Sequence, residues 1–204
     1  MKLYQAPGAP NPDRVIFFLK AKGILDKVDL QEVSIVKGEH LTPEYREISP
    51  FGKVPALQLD DGLVLTESRA ICTYLEGEFP EVNLLGTDHK ERAIIEMWER
   101  QIEFFWMAQY AAWFRNTHPA MAPLEKPQVP EAAEKGERGA KAFVRRLDKH
   151  MADKEYIAAG RFSNVDVFAY VLCGFAKIMK WRPHEDHENL ARWYAAMKEK
   201  DFTA

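Results

Sequence analysis

The chain has 204 residues, of which 47% are hydrophobic, so it can bury a sizeable core in one large domain or two small ones. Its 28 basic and 31 acidic side chains nearly balance, which argues against binding to nucleic acid or to an anionic membrane through charge alone. No apolar run reaches the ~20 residues that a membrane-spanning helix needs, and the N-terminal residues do not resemble a signal peptide.

The first half of the chain alternates between strand and helix patterns. Strands are predicted over residues 2–5, 28–33, 55–59 and 63–65, and helices over residues 11–22, 42–48 and 67–79. In the first helix, Asn11 is the predicted N-cap, Pro12 suits the first turn and Gly23 ends the helix. The order βαβαββα predicts a parallel first pair of strands, joined by a helix, and an antiparallel last pair.

The second half shows helix patterns only. Helices are predicted over residues 90–115, 131–153, 164–179 and 190–200, with a proline-rich loop over residues 121–130. Ser163 and Asp166 form a variant of the capping box at the start of the third of these helices. The predicted organisation is an α/β domain over residues 1–80, a linker over residues 81–88 and an all-α domain over residues 89–204.

Cysteine and histidine provide no sign of a metal site. Cys72 and Cys173 lie in apolar helix patterns and are predicted to be buried free thiols, which fits a reducing cytoplasm. His184 and His187 lie among acidic residues after a proline, but a zinc site needs further ligands placed in space. This segment is therefore predicted to be a solvated loop.

Two short motifs point to a small ligand that resembles a peptide. Pro55 opens a strand, and a cis Val54-Pro55 bond would turn the backbone N–H and C=O of Val54 toward an extended ligand. Glu67 and Ser68 open a helix, where a hydroxyl, free N–H groups and the helix dipole favour an anion. Together the motifs predict a site that recognises a backbone and a carboxylate.

The chain resembles the cytosolic glutathione transferases along nearly its full length. The resemblance is carried by FGKVPAL at 51–57, LTESRAI at 65–71 and YIAAGRFSNVD at 156–166. It implies a thioredoxin-like N-terminal domain, an all-helical C-terminal domain, a homodimer, and glutathione bound at the junction as co-substrate with no other cofactor. It also implies a cytoplasmic enzyme of detoxification that binds neither nucleic acid nor membranes.

Several site residues follow from this resemblance. Val54, beside Pro55, would pair with the cysteinyl backbone of glutathione. Glu67 and Ser68 would hold the γ-glutamyl end, and Lys53 and His40 would face the glycyl carboxylate.

The group next to the sulfur departs from the common family pattern. Bacterial beta-class members carry a Tyr and a Cys where this chain has Gln5 and Pro10. The turn is closer to nu-class-like bacterial members, in which a Thr and an Asn flank the sulfur: Asn11 matches the Asn, whereas Ala9 has no hydroxyl. One hydrogen bond from Asn11 to the thiolate would contribute roughly 1.5–3 kcal/mol, and the dipole of the helix would add to it.

A second set of candidates follows the apolar part of the helix over residues 90–115. His118, Thr117 or Asn116 is predicted to position a water or to polarise the acceptor substrate. The predicted walls of an acceptor pocket are Tyr110, Trp113 and Phe114.

Two functions remain open on the sequence. The first is a glutathione transferase that passes the thiolate to an electrophile, or uses it to reduce a disulfide or a peroxide. The second is a binding or regulatory protein that keeps the fold but has little or no activity, which the residues Gln5, Ala9 and Pro10 motivate.

Overall fold

The computed structural model describes residues 1–203, which form two compact units. The first unit comprises Met1–Leu85 together with residues 200–203, and the second comprises Gly86–Glu199. Ala204, the last residue of the predicted helical domain, lies outside the described residues. The predicted domain limits of 1–80 and 89–204, with a linker over 81–88, stay a prediction.

The first unit is a four-stranded sheet with three α-helices. Its elements are β1 (Lys2–Gln5), α1 (Pro10–Lys22), β2 (Asp29–Glu32), α2 (Pro43–Ile48), β3 (Ala56–Gln58), β4 (Val64–Thr66) and α3 (Ser68–Glu78), with 3₁₀ turns at Leu25–Lys27, Glu39–Leu41 and Asp201–Thr203. The strand order is β2-β1-β3-β4, with β1 and β2 parallel and the other pairs antiparallel. The predicted α/β thioredoxin-like architecture, βαβαββα, is thus confirmed.

The start of α1 differs from the prediction. Ala9, not Asn11, is the N-cap, and it makes no side-chain cap bond. Pro10 takes the first helical position, where its missing N–H costs nothing, and this moves the N-cap two residues upstream. Asn11 therefore lies inside the first turn with its side chain available for other contacts. Gly23 ends the helix as predicted, in a left-handed conformation with φ of 69°.

A buried ion pair lies in the core of the first unit. The ammonium of Lys22, at the end of α1, lies 2.8 Å from a carboxylate oxygen of Glu76 in α3, and its side chain is 1% exposed. The same ammonium donates to the carbonyl of Val82. The other Glu76 oxygen accepts from the N–H of Leu84 at 3.0 Å. This pair joins the two helices to the segment that follows them.

Residues 200–203 return to the first unit. Phe202 is 2% exposed, and its ring meets that of Phe17 edge to face at 6.0 Å between centroids. The last described turn of the chain therefore covers part of α1.

The second unit is helical, and no strand occurs in its described residues. Its helices are α4 (His89–Ile102), α5 (Ala108–Thr117), α6 (Pro130–His150), α7 (Asn164–Ala176) and α8 (Glu188–Lys198), with 3₁₀ turns at Pro119–Met121 and Lys177–Met179. The pattern predicted as one helix over 90–115 is α4 and α5 joined by a π-helical segment, Glu103–Met107. The all-α second domain is confirmed. Within residues 1–203, no helix is long and apolar enough to cross a membrane.

The capping box at the start of α7 is confirmed and extends into a larger network. Asp166 is fully buried, and one carboxylate oxygen accepts from the backbone and hydroxyl of Ser163 at 3.0 and 3.3 Å. The other accepts from Ile157 N–H and from the indole N–H of Trp193, each at 3.0 Å. Burial raises the pKa of Asp166 to about 6 against the effect of these four donors. The carboxylate ties the loop before α7 to α8.

Helices α5 and α6 approach closely at Gly136. A Cβ at this position would lie 2.5 Å from the carbonyl oxygen of Gln109 and 2.8 Å from the backbone nitrogen of Trp113. At Gly139 a Cβ would instead meet the side chain of Gln109, at 2.7 Å. Gly136, which disfavours a helix by itself, is therefore the residue that lets the two backbones pack.

Both cysteines are free and buried, as predicted. The prediction of a solvated loop was wrong for His184. This residue is only 9% exposed, because its ring stacks on that of Tyr194 with 3.8 Å between centroids. Of the described residues, no three His, Cys, Asp or Glu side chains are grouped so as to hold a metal ion.

Candidate functional site

The loop before β3 presents an unused stretch of backbone. Val54 is half-buried and its bond to Pro55 is cis, as predicted. Neither the N–H nor the C=O of Val54 makes a hydrogen bond within residues 1–203. The preceding residue differs, since the N–H of Lys53 donates to the Ser49 hydroxyl at 3.2 Å and its C=O accepts from the Tyr45 hydroxyl at 2.9 Å. Both backbone groups of Lys53 are hydrogen-bonded within the protein, whereas those of Val54 are left able to pair with a ligand.

The start of α3 brings two predicted site residues together. Ser68 is 6% exposed, and its hydroxyl donates to the side-chain oxygen of Asn11 at 3.4 Å. The amide nitrogen of Asn11 makes no hydrogen bond within the described chain. Glu67, just before the helix, is exposed and has a φ of 67°, which L side chains rarely adopt. Such strained residues often occur at functional sites.

The turn that precedes α1 is closed locally. The N–H of Gly8 donates to the carboxylate of Asp13 at 3.1 Å, and the N–H of Ala9 donates to the carbonyl of Ala6 at 3.2 Å. Burial raises the pKa of Asp13, while the Gly8 hydrogen bond acts to lower it. Asn11 follows this turn at the second position of α1.

Positive charge gathers near Lys53. His40 lies in the 3₁₀ turn Glu39–Leu41, and a Cβ at Gly52 would lie 2.7 Å from its carbonyl oxygen. Burial lowers the pKa of the His40 imidazole, and the charges of Lys53 and Arg46 lower it further. Its Nδ1 is buried without a hydrogen-bond partner. Lys53 and Arg46 therefore give the surroundings of His40 a positive potential that suits a carboxylate.

The second unit holds the remaining candidates. The Nδ1 atom of His118 accepts from Ala120 N–H at 3.3 Å, and its ring lies 5.2 Å from that of Phe114. Asn116 is occupied structurally, because its side chain donates to Ala112 at 2.9 Å and accepts from Val129 at 2.8 Å. His118 and Thr117 are left as the polar groups of this segment with capacity for a ligand.

The three predicted pocket residues differ in burial. Tyr110 is 2% exposed and donates to the carbonyl of Phe175 at 3.1 Å, and Trp113 is 9% exposed. Both pack against Trp181, at 6.2 and 5.9 Å between ring centroids. Phe114 is half-buried and is the one of the three with a substantially open ring.

Comparison with known proteins decides the family. Residues 3–83 match the family model described as "Glutathione S-transferase, N-terminal domain", and residues 130–196 match "Glutathione S-transferase, C-terminal domain". The crystal structure of a glutathione S-transferase domain-containing protein of Marinobacter aquaeolei VT8 is 34% identical, covers both chains completely and has a TM-score of 0.92. The chain belongs to the glutathione S-transferase family.

Two further relatives agree with the family assignment. Glutathione S-transferase 2 of Saccharomyces cerevisiae is 29% identical over 201 residues, which are 98% of this chain and 86% of that protein. A glutathione S-transferase of Methylobacillus flagellatus KT, solved with GSH bound, is 26% identical, has a TM-score of 0.84 and covers 99% of this chain and 96% of its own. The predicted enzyme class, glutathione transferase, is thereby confirmed at the level of the family.

Three residues that shape this candidate site were not predicted from the sequence. Tyr45 and Ser49 hold the backbone before Val54, and Arg46 adds charge near His40. All three come from α2 and its C-cap. Their side chains reach the loop through tertiary contacts, for which the local pattern carries no signal.

Proposed function

We propose that the first unit binds glutathione and stabilises its thiolate for transfer to an electrophile or for reduction of a disulfide or peroxide. The proposed binding residues are His40, Lys53, Val54, Pro55, Glu67 and Ser68. The observation that carries this proposal is the unpaired backbone of Val54, in the same unit as the contact between Asn11 and Ser68.

Each part of the tripeptide has a chemical counterpart. The cysteinyl backbone would donate to and accept from Val54, as an added strand does. The γ-glutamyl carboxylate would take hydrogen bonds at the start of α3 near Ser68, and Glu67 would accept from its ammonium. The glycyl carboxylate would pair with Lys53 and with the free Nδ1 of His40.

Asn11 is the proposed donor to the thiolate. Its amide nitrogen makes no hydrogen bond within the described chain, so it is a free donor at the first turn of α1. On glutathione binding, the Ser68 hydroxyl would turn its one proton from the Asn11 oxygen to the γ-glutamyl carboxylate. A hydrogen bond to a charged acceptor contributes roughly 1.5–3 kcal/mol, which corresponds to a decrease of about one to two units in the thiol pKa. The position of Asn11 in this first turn supports our placement of the chain in the nu-class-like bacterial branch.

His118 is the proposed group for positioning a water or polarising the acceptor. Its free Nε2 and its contact with Phe114 support this role. Tyr110 and Trp113 are proposed as inner walls of the acceptor pocket, behind the more open ring of Phe114. The acceptor itself is proposed to be a small electrophile, disulfide or peroxide.

A homodimer is also proposed. Phe51 is 83% exposed, and Phe104 and Phe105 are each 56% exposed, which is unusual for rings of this size. A sedimentation experiment that gave the mass of a single chain would contradict the dimer.

A cytoplasmic location is supported by the two free thiols, Cys72 and Cys173.

Glutathione binding is tested by removing one hydroxyl. Ser68→Ala should weaken binding at least tenfold, because a buried carboxylate loses a charge-assisted donor that contributes about 1.5–3 kcal/mol. Thr73→Ala removes an exposed hydroxyl from the same helix and should bind glutathione as the wild type does. Binding is measured by calorimetry. A wild-type protein that does not bind millimolar glutathione would refute the proposal.

The reaction is tested with two substrates and one variant. Turnover of a chloronitroaromatic compound indicates conjugation, and turnover of hydroxyethyl disulfide indicates reduction; no rate above background with either would remove the proposed chemistry.

Asn11→Ala should leave binding mostly intact and raise the pKa of the bound thiol, read from thiolate absorbance. An unmoved titration would exclude Asn11 as the donor.

A further inference from the structure

The end of α2 holds both backbone groups of one residue in the candidate site. Ser49, the C-cap of α2, accepts from the N–H of Lys53 through its side-chain oxygen, and its carbonyl accepts from Gly52 N–H at 2.8 Å. One helical turn earlier, the hydroxyl of Tyr45 donates to the carbonyl of Lys53 at 2.9 Å. Lys53 immediately precedes Val54, so α2 fixes the peptide plane that leads into the open backbone.

We propose that Tyr45 is a positioning residue for glutathione, which sets the direction of the Val54 N–H and C=O through its hydrogen bond to Lys53. The inference rests on the proposed function, because Val54 is the residue proposed to pair with the cysteinyl backbone. Tyr45 acts through Lys53 and does not itself touch the ligand.

The surroundings of Tyr45 suit this role. Its side chain is 6% exposed, and its ring packs edge to face on Tyr4 at 6.0 Å between centroids, so the hydroxyl has little freedom to move. Burial raises the pKa of Tyr45 to about 12, and the phenol therefore keeps its donor proton throughout the neutral range. The loop it holds also carries the left-handed Gly52, whose backbone lies against His40. A shift of this loop would therefore move two proposed glutathione contacts together.

The chain offers a matched control for removing this hydroxyl. The Tyr4 hydroxyl donates to the side chain of Gln58 at 3.1 Å, on the sheet and away from the Lys53 carbonyl. Tyr45→Phe and Tyr4→Phe each remove one hydroxyl, and each keeps its ring in the same aromatic pair.

The experiment compares steady-state kinetics of the full-length variants with varied glutathione and a fixed saturating acceptor. Tyr45→Phe should raise the KM for glutathione about 3- to 10-fold, the effect of one lost hydrogen bond, with kcat within about twofold of the wild type. Tyr4→Phe should leave the KM unchanged, and Tyr45→Phe should bind S-hexyl glutathione more weakly by the same factor. An unchanged KM in Tyr45→Phe, or an equal rise in both variants, would overturn the inference.

Hydrogen exchange separates this inference from the proposed function. In the absence of glutathione, amide exchange in a peptide covering residues 49–54 should be faster in Tyr45→Phe than in the wild type or in Tyr4→Phe. If the wild type binds no glutathione, the proposed function fails whatever the exchange shows. If it binds glutathione and exchange over 49–54 is the same in all three proteins, the positioning role is wrong.

Discussion

The contact between α5 and α6 allows a sharp test of packing in the second unit. In Gly136→Ala, the added methyl carbon would lie 2.5 Å from the Gln109 carbonyl oxygen and 2.8 Å from the Trp113 nitrogen. Both opposing atoms belong to the backbone of α5, so no side-chain rotation relieves the overlap. The two helices would have to separate by roughly 1 Å, which opens gaps in a close-packed interface.

The expected loss of stability combines two opposing effects. Overpacking of this kind costs about 1–3 kcal/mol, whereas replacing a mid-helix glycine by alanine gains about 0.5–1 kcal/mol of helix propensity. Gly136→Ala should therefore lower the free energy of unfolding by about 1–2 kcal/mol. Urea denaturation at pH 7, followed by circular dichroism, measures this change at an unchanged m-value.

Two other helical glycines serve as controls. At Gly139 the atom in the way is the end of the flexible Gln109 side chain, so Gly139→Ala should cost less than Gly136→Ala. At Gly174 in α7 nothing lies within 4 Å, and Gly174→Ala should stabilise the protein by about 0.5–1 kcal/mol. A Gly136→Ala protein as stable as the wild type, or as stable as Gly174→Ala, would refute the reasoning.

Three further predictions concern buried or shifted charges. Asp166→Asn leaves one oxygen for four donors and should cost about 2–5 kcal/mol of unfolding free energy. Ser163→Ala, which removes the hydroxyl donor without emptying a large buried volume, should cost about 1 kcal/mol. Glu76→Gln leaves the Lys22 ammonium without its counter-charge and should cost about 3–5 kcal/mol in urea denaturation. Because the pKa of His40 is lowered, its imidazole is neutral at pH 7 and gains its proton as the pH falls below 6.5. Glutathione affinity, measured by calorimetry, should therefore rise from pH 7 to 5, and His40→Gln should abolish this rise.

Each of these predictions has an outcome that contradicts it. Equal losses in Asp166→Asn and Ser163→Ala would mean that the carboxylate is no more important to the network than one of its donors. A Glu76→Gln protein within 0.5 kcal/mol of the wild type, the range of exposed pairs, would mean that the ion pair is effectively solvated. The same pH dependence of affinity in His40→Gln and the wild type would assign it to another group.

Much of the first unit could be predicted because proline and glycine mark its element ends. Pro43, Gly23 and Gly62 delimit elements whose apolar periods are clear. These signals were nearly enough to predict the order βαβαββα. The predicted N-cap of α1 was wrong, and the reason is again local. Asn11 is a good cap by type, but Pro10 already takes the first helical position, which makes Ala9 the N-cap.

The parts that could not be predicted depend on contacts between distant residues. The π-helical segment Glu103–Met107 contains no proline or glycine and continues the helical run on both sides, so its altered hydrogen bonding leaves no mark on the pattern. His184 was predicted to be solvated because its neighbours are charged, yet the ring of Tyr194 covers it. Likewise, the hydrogen bond from Tyr45 to the Lys53 carbonyl can be seen only once α2 is placed beside the loop that precedes β3.

The return of residues 200–203 to the first unit has a consequence for how the protein is made. The thioredoxin-like fold is not one continuous stretch of polypeptide, since its α1 surface is finished by Phe202. During translation this surface stays uncovered until residues 200–203 have been synthesised, well after the rest of the first unit. A fragment that stops at Leu85 would expose the ring of Phe17, and we expect it to aggregate more readily than the full-length protein.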